Sequence, residues 1–254
     1  MTATARLLYV SWYNPENSFI YPVARLMERQ VSPRFRFAYI KGAEAALARG
    51  FTPFSDFPDI QALYEDDALF PLFANRLVLS ARSDPSEAAS PLDLSPSSPD
   101  PLLGLAHGPC RRATEKLELF GLPERNPESG DLLYRFLVRG IRHVAHGEEA
   151  VTGLAPGQRL LCLLDFQNPI DPFAVVLRTV NPHQMVGFLP HYLGEEAARL
   201  RDAGAALTVR VERVNPSPAP RHQRLLCVLT AGGLSAFTPF ASPRYLPINP
   251  AADA

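Results

Sequence analysis

In Arg34-Phe-Arg-Phe-Ala-Tyr-Ile40, Phe35, Phe37 and Tyr39 alternate with Arg34, Arg36 and Ala38. That period of two predicts a half-buried antiparallel strand with an aromatic inner face. Residues 7–13 (LLYVSWY) are an apolar run stopped by Asn14-Pro15-Glu16-Asn17, a strand ended by a turn, and Phe19 to Leu26 is a further strand candidate. Between Gly42 and Gly50, Ala-Glu-Ala-Ala-Leu-Ala predicts a short helix. Phe51, Phe54 and Phe57 around Pro53 and Pro58 cannot be regular structure and predict a buried aromatic loop. In 59–80, Leu63, Leu69, Leu72, Phe73 and Leu77 fall near helical spacing, and Pro71 is placed to open a second helix.

Residues 83–101 hold five Pro and six Ser, the composition of a linker or long surface loop. Beyond them, 111–120 ends in strand-like residues and Leu132 to Val138 is a stronger strand. From Arg159 the pattern predicts strands at 160–166, 173–177 and 185–189, a helix at 193–202 stopped by Gly204, and strands at 206–214 and 224–230. This β-β-β-α-β-β order with short connections suits a small barrel, not a parallel α/β sheet. The expected fold class is β-rich α+β. An N-terminal antiparallel β plus helix module spans 1–82, an OB-like β-barrel with a short helix spans 132–234, and a tail spans 235–254.

Composition narrows the function classes. The 254 residues are 46% hydrophobic and 20% charged, which excludes wholesale disorder. The 26 prolines argue for loops and against a helical bundle. A net charge of -1 provides no global positive field for nucleic acid, so such binding must be local. Among the 25 basic residues only Lys41 and Lys116 are lysines, a skew that matches the codon bias of a GC-rich, bacterial genome. Cys110, Cys162 and Cys227 lie far apart with no zinc-like spacing, which fits a reducing compartment. The N-terminus has no signal-like apolar region and no stretch is long enough to cross a membrane, so a soluble cytoplasmic protein is expected.

Phosphate-binding loops, dinucleotide fingerprints, nucleophile elbows, zinc-protease helices and calcium loops are all missing from the sequence. Glu65-Asp66-Asp67, after Pro58-Asp59, offers the carboxylates of a metal-dependent nuclease core without the Lys that should follow, or simply a solvated acidic face. His143 and His146 lie on the loop after the Leu132–Val138 strand with no Cys or carboxylate at ligand spacing, so neither metal nor cofactor is expected. Asn168-Pro169 predicts a turn that presents Asp171, and Gly187 in a strand predicts close backbone approach or barrel curvature. Six Arg and His222 between 199 and 224 face only Asp202 and Glu212, a local excess that fits either a phosphate track or a solvated face.

The segment between Gly140 and Leu200 resembles the HIRAN domain family, which occurs fused to SWI2/SNF2-type helicases and alone in bacteria. Gly140-Ile-Arg-His-Val144, Asn168-Pro-Ile-Asp171 with Ala174-Val-Val176, and Val186-Gly-Phe-Leu-Pro190 follow the family's order and spacing. The resemblance implies an OB-like barrel that recognises single-stranded DNA 3′ ends. It assigns Arg142 to phosphate, His143 to base stacking and Asp171 to the free 3′-hydroxyl. Gly140, Asn168, Pro169, Gly187 and Pro190 become framework positions. Val144 and Ile170 stand where the family has aromatics, and Phe173 or Tyr192 is expected to compensate. Tyr21-Pro-Val-Ala-Arg-Leu26, Phe35-Arg-Phe-Ala-Tyr39 and 69–77 are similar in order to the N-terminal subdomain of HipA-like toxin kinases, which implies an interaction module without a kinase core.

The expectation is a non-enzymatic protein that captures single-stranded DNA ends in repair, replication restart or defence, with a possible protein partner on its N-terminal module. Two rivals stay open. The near-zero charge, Val144 and Ile170 fit a protein-interaction or antitoxin-like accessory factor. The carboxylates near 56–67, with Asp165 or Asp171, fit a metal-dependent nuclease or other hydrolase.

Overall fold

The computed structural model describes residues 6–16, 19–81, 117–217, 219, 221–234 and 236–253. The 83–101 linker, Cys110 and residues 111–116 lie outside them. The chain divides into two compact units, one of Met1–Leu122 with Phe240–Ala254 and one of Pro123–Pro239.

In the first unit, β1 (Arg6–Tyr13), β2 (Ile20–Glu28), β3 (Phe35–Tyr39), β4 (Leu63–Asp66) and β5 (Leu117–Gly121) form an antiparallel sheet in the order β4-β3-β2-β1-β5. Helices α1 (Gly42–Leu47) and α2 (Pro71–Ala81) complete it. Both faces of the sheet are covered, so β1 and β2 are buried almost throughout. Leu8, Val10 and Trp12 join Phe35, Phe37, Phe51, Phe57 and Phe73 in one core. The Phe37 and Phe57 rings stack at 3.8 Å. The buried Tyr39 hydroxyl donates to the Phe57 carbonyl (2.8 Å) and accepts the Phe54 N–H (2.9 Å), which fixes the aromatic loop.

Two expectations change here. Leu63–Asp66 is a strand, not the start of a helix: it takes the free edge of β3, with Phe37 opposite Tyr64. The Tyr64 hydroxyl accepts the Asp59 N–H (2.8 Å) and donates to its carbonyl (3.0 Å), folding the chain back. The segment expected as a tail, 240–253, groups with the first unit. Tyr9 on β1 meets Phe240 and Tyr245, Ile248 N–H donates to the Tyr39 carbonyl (2.9 Å), and Arg25 pairs with Asp253 (2.6 Å).

In the second unit, β6 (Glu124–Arg125), β7 (Leu132–Leu137), β8 (Arg159–Leu164), β9 (Val175–Thr179), β10 (Met185–Phe188), β11 (Ala206–Val214) and β12 (Leu225–Gly232) form an antiparallel sheet, ordered β10-β9-β8-β11-β12-β7-β6. Helices α3 (Gly147–Thr152), unforeseen in the sequence, and α4 (His191–Asp202) join it. The strand–strand–strand–helix–strand–strand order is the expected one. The expected closed barrel is not formed as a continuous ladder among the described residues. The two sides meet at one bridge, where Arg139 and Phe188 exchange hydrogen bonds of 2.9 and 2.8 Å. Gly187 makes that crossing possible: its φ is +144°, and a Cβ there would lie 2.5 Å from Val138 Cγ1 and 2.6 Å from the Arg139 oxygen. No helix among the described residues is long and apolar enough to cross a membrane.

Candidate nucleic-acid interface

The loop from Asp165 to Ala174 joins β8 to β9 and is held by its own polar side chains. Asn168 Oδ1 accepts the N–H groups of Ile170 (3.1 Å) and Asp171 (3.0 Å), and Asn168 Nδ2 donates to Asp165 Oδ2 (3.1 Å). Asp171 Oδ1 accepts the Phe173 N–H (2.8 Å), and Asp165 N–H closes the hairpin on the Ala174 carbonyl (2.8 Å). These are Asx turns, in which a short polar side chain replaces a backbone partner. Pro169 lacks an N–H and leaves no donor unmet. The turn keeps Phe166, Ile170 and Phe173 in solvent, at 86%, 48% and 37% exposure.

Asp171 is further anchored by His191, the first residue of α4, with Nδ1 2.6 Å from Oδ2. The two side chains are only 15% and 8% exposed. Both carboxylate oxygens therefore already accept or share a hydrogen, although each retains a second acceptor site. Pro190 precedes His191 as the residue that starts the helix.

Three residues before His191, Phe188 receives the other half of the motif. Gly140 adopts φ +66°, and a Cβ there would stand 2.8 Å from Phe188 Cδ2. The tight turn Ile141–His143 follows, with Ile141 buried and Arg142 and His143 exposed. Arg142 Nε donates to His143 Nε2 (3.0 Å). The structure thus seats the Arg142 turn and the Asp171 turn on one segment, Gly187 to His191. Tyr192 does not join them as a stacking surface: it is 9% exposed, turned into the unit by the helix that carries it.

The remaining sequence candidates disperse. In the basic stretch Arg199 pairs with Glu196 (2.6 Å), Arg201 with Asp202 (2.9 Å) and Arg221 with Glu148, while Arg224 Nε donates to the Ala219 carbonyl (2.5 Å). Arg199, Arg201 and Arg221 each sit in contact with a carboxylate, as on a solvated face. His146 pairs with Glu149 (2.7 Å). In the acidic run, Glu65 binds Arg36 (2.6 Å), Asp66 caps the Ala68 N–H (2.8 Å), and Asp67 accepts from Ser32 and the Arg34 N–H (3.0 and 3.1 Å). Among the described residues no group of three or more His, Cys, Asp and Glu side chains could hold a metal ion.

Sequence reasoning missed His191 and Phe166. His191 was legible as a His directly after Pro at a helix start, within reach of any turn docked there. Phe166 was absorbed into an apolar strand that Asp165 in fact ends, two residues short of the prediction.

No family model matches the chain, and no protein of curated function matches it. Two solved structures are similar to part of it. A Lactobacillus plantarum protein from a structural genomics programme is 24% identical over 40% of this chain and 97% of its own, with a TM-score of 0.33. The HIRAN domain of human HLTF is 20% identical over 41% of this chain and 77% of its own, with a TM-score of 0.32.

Proposed function

We propose that the second unit binds single-stranded DNA at a 3′ end. The observation that carries this reading is the joint seating of the Arg142–His143 turn and the Asp171 turn on Gly187 to His191, in the order of the sequence motif. Arg142 is exposed and free to grip a phosphate through its outer guanidinium nitrogens. His143 and the exposed Phe173 and Ile170 offer flat or apolar surface to bases, in place of the buried Tyr192. Asp171 accepts the terminal hydroxyl on its remaining lone pairs, and would repel a phosphate there. Binding of this kind requires neither cofactor nor metal.

The test is fluorescence anisotropy with a short oligonucleotide bearing a 3′-hydroxyl or a 3′-phosphate, at fixed salt. The hydroxyl form binds more tightly, and Asp171→Asn removes the preference while leaving the turn acceptor in place. Arg142→Ala weakens both forms about tenfold and lowers the salt slope by about one unit. Equal affinity for the two ends in the unaltered protein overturns end recognition, and no binding to either strand overturns the reading entirely. A second reading, a protein-interaction factor, is favoured by one observation: Phe166, Ile170 and Phe173 stand exposed on a single loop.

A further inference from the structure

The sheet of the second unit splits between β8 and β11. β8 pairs with β9 from Leu160 to Leu164, but with β11 only at Arg159 opposite Arg210 and Leu160 opposite Val209. β11 itself continues to Ala206 in register with β12. Among the described residues, no ladder joins Leu161–Leu164 to Ala206–Thr208.

The backbone groups left open can be named. Successive residues of an antiparallel strand point their N–H and C=O to alternate sides. The Asp165 N–H bonds across to Ala174, so Leu161 and Leu163 point to β9, and Cys162 and Leu164 point into the gap. On β11 the Val211 N–H bonds to the Gln158 carbonyl (2.9 Å), so Leu207 faces the same gap from the other bank. Leu163 and Cys162 are exposed. Desolvation nevertheless pushes the Cys162 thiol up to about 11.

Charge defines the closed end. Arg159 and Arg210 stand directly opposite each other, both exposed, and Arg210 Nη1 is held by the Gly157 carbonyl (2.9 Å). Like charges in this position destabilise a strand pair, and an anionic group between them offsets the cost. Open N–H and C=O groups in an extended strand are matched by another polypeptide strand. A sugar–phosphate chain has no backbone N–H to return.

We propose that the gap between β8 and β11 is an acceptor groove for an extended acidic peptide, which adds as a strand along Cys162 and Leu164 or along Leu207 and sets a carboxylate between Arg159 and Arg210. This groove is independent of the nucleic-acid reading, since it uses neither Arg142 nor Asp171.

The test is residue-resolved amide hydrogen exchange on the full chain, alone and with the probe peptide Val-Thr-Val-Thr-Val-Glu-Glu or its Lys-Lys counterpart. In the free protein the N–H groups of Cys162, Leu164 and Leu207 exchange at least about tenfold faster than those of Leu161 and Leu163. The acidic peptide protects the gap-facing amides of one bank, and the basic one does not. Arg210→Glu weakens the acidic peptide about tenfold and admits the basic one. Cys162→Pro removes the N–H that faces the gap, besides fixing the local φ, and weakens a peptide on the β8 bank about fivefold, whereas Cys162→Val does not. If the Pro variant fails to fold, the Arg210→Glu exchange of preference decides. Slow exchange at Cys162, Leu164 and Leu207 in the free protein, no binding of the acidic peptide, or equal affinity for both peptides overturns the proposal. So does protection of these amides by oligo-dT instead of peptide.

Discussion

In the first unit the rings of Phe37 and Phe57 are 0% and 1% exposed and stacked on each other, with Phe73 beside them. In the second, Phe166 and Phe173 stand out of a loop at 86% and 37%. The difference follows from what holds each loop. The loop from Phe51 to Phe57 is pinned from inside, by the Tyr39 hydroxyl and by burial of its own rings. The loop from Asp165 to Ala174 is pinned by its carboxylates and amides, which leaves its apolar side chains unused by the fold. A loop stabilised by polar side chains can afford to present aromatic surface outward, and loops so positioned by a rigid scaffold are where binding residues concentrate. A loop stabilised by its aromatics cannot.

Truncation of a stacked ring in the first unit gives the largest effect. Phe57→Ala removes a fully buried ring from contact with Phe37, Tyr64, Phe70 and Phe73, and costs about 3–5 kcal/mol. Trp12, the single tryptophan of the chain, lies in the same core, so its emission during urea unfolding reads the loss directly. A shift below about 1 kcal/mol would mean that the loop is not held by its rings.

The matching variant of the second unit is Gly187→Ala. A methyl group there collides with Val138 and the Arg139 carbonyl at a φ of +144°, so the crossing of β10 over the end of β7 must give way. Overpacking and backbone strain together cost about 3 kcal/mol. Circular dichroism against urea measures the cost. Because Phe188 and His191 follow directly, the same variant abolishes any binding that needs the Arg142 and Asp171 turns together.

How much of this was legible in the sequence depends on the range of the signal. Period-two runs such as Phe35 to Tyr39 and glycine-bounded or proline-opened helices were legible because their cause is local. Leu63–Asp66 was not, since four residues are too few to show a period and their partner, β3, lies some thirty residues away. The return of 240–253 to the first unit was hidden for the same reason: Phe240 and Tyr245 find Tyr9 and Phe120 only after folding. At the candidate site, the Asn168-Pro169 turn was readable from composition, but the His191 contact that engages the Asp171 carboxylate spans twenty residues. Burial of Tyr192 depended on the helix phase, which its sequence neighbours do not fix.

Alkaline unfolding probes both units on one axis. Burial raises the pKa of the Tyr39 and Tyr134 phenols well above the usual tyrosine value, and the nearby Glu196 carboxylate raises that of Tyr134 further. The folded state therefore favours the protonated phenol. Its stabilisation is complete below pH 10 and is lost as pH rises beyond it, by up to about 1.4 kcal/mol per pH unit for each group. Tyr39→Phe flattens the alkaline limb seen by Trp12, at a cost near neutral pH of about 1–3 kcal/mol for the unpaired Phe54 N–H and Phe57 carbonyl. Tyr134→Phe flattens it in the second unit, where the phenol donates to Glu196 (3.1 Å). An unchanged alkaline limb in both variants would assign the pH dependence to other groups.

The smallest structural effect belongs to Phe166→Ala, and it sharpens the contrast most. At 86% exposure the ring contributes almost nothing to the fold, so the unfolding midpoint moves by less than about 0.5 kcal/mol. If the polar loop holds the ring outward for a base to stack on, affinity for single-stranded DNA falls by about 1–3 kcal/mol with the salt slope unchanged, because no phosphate contact is lost. The Phe57 variant shows the reverse, a large loss of stability that lowers binding only as far as it unfolds the protein. A Phe166 variant that binds DNA as tightly as the unaltered chain would separate the exposed loop from nucleic acid and leave its aromatic surface to a protein partner.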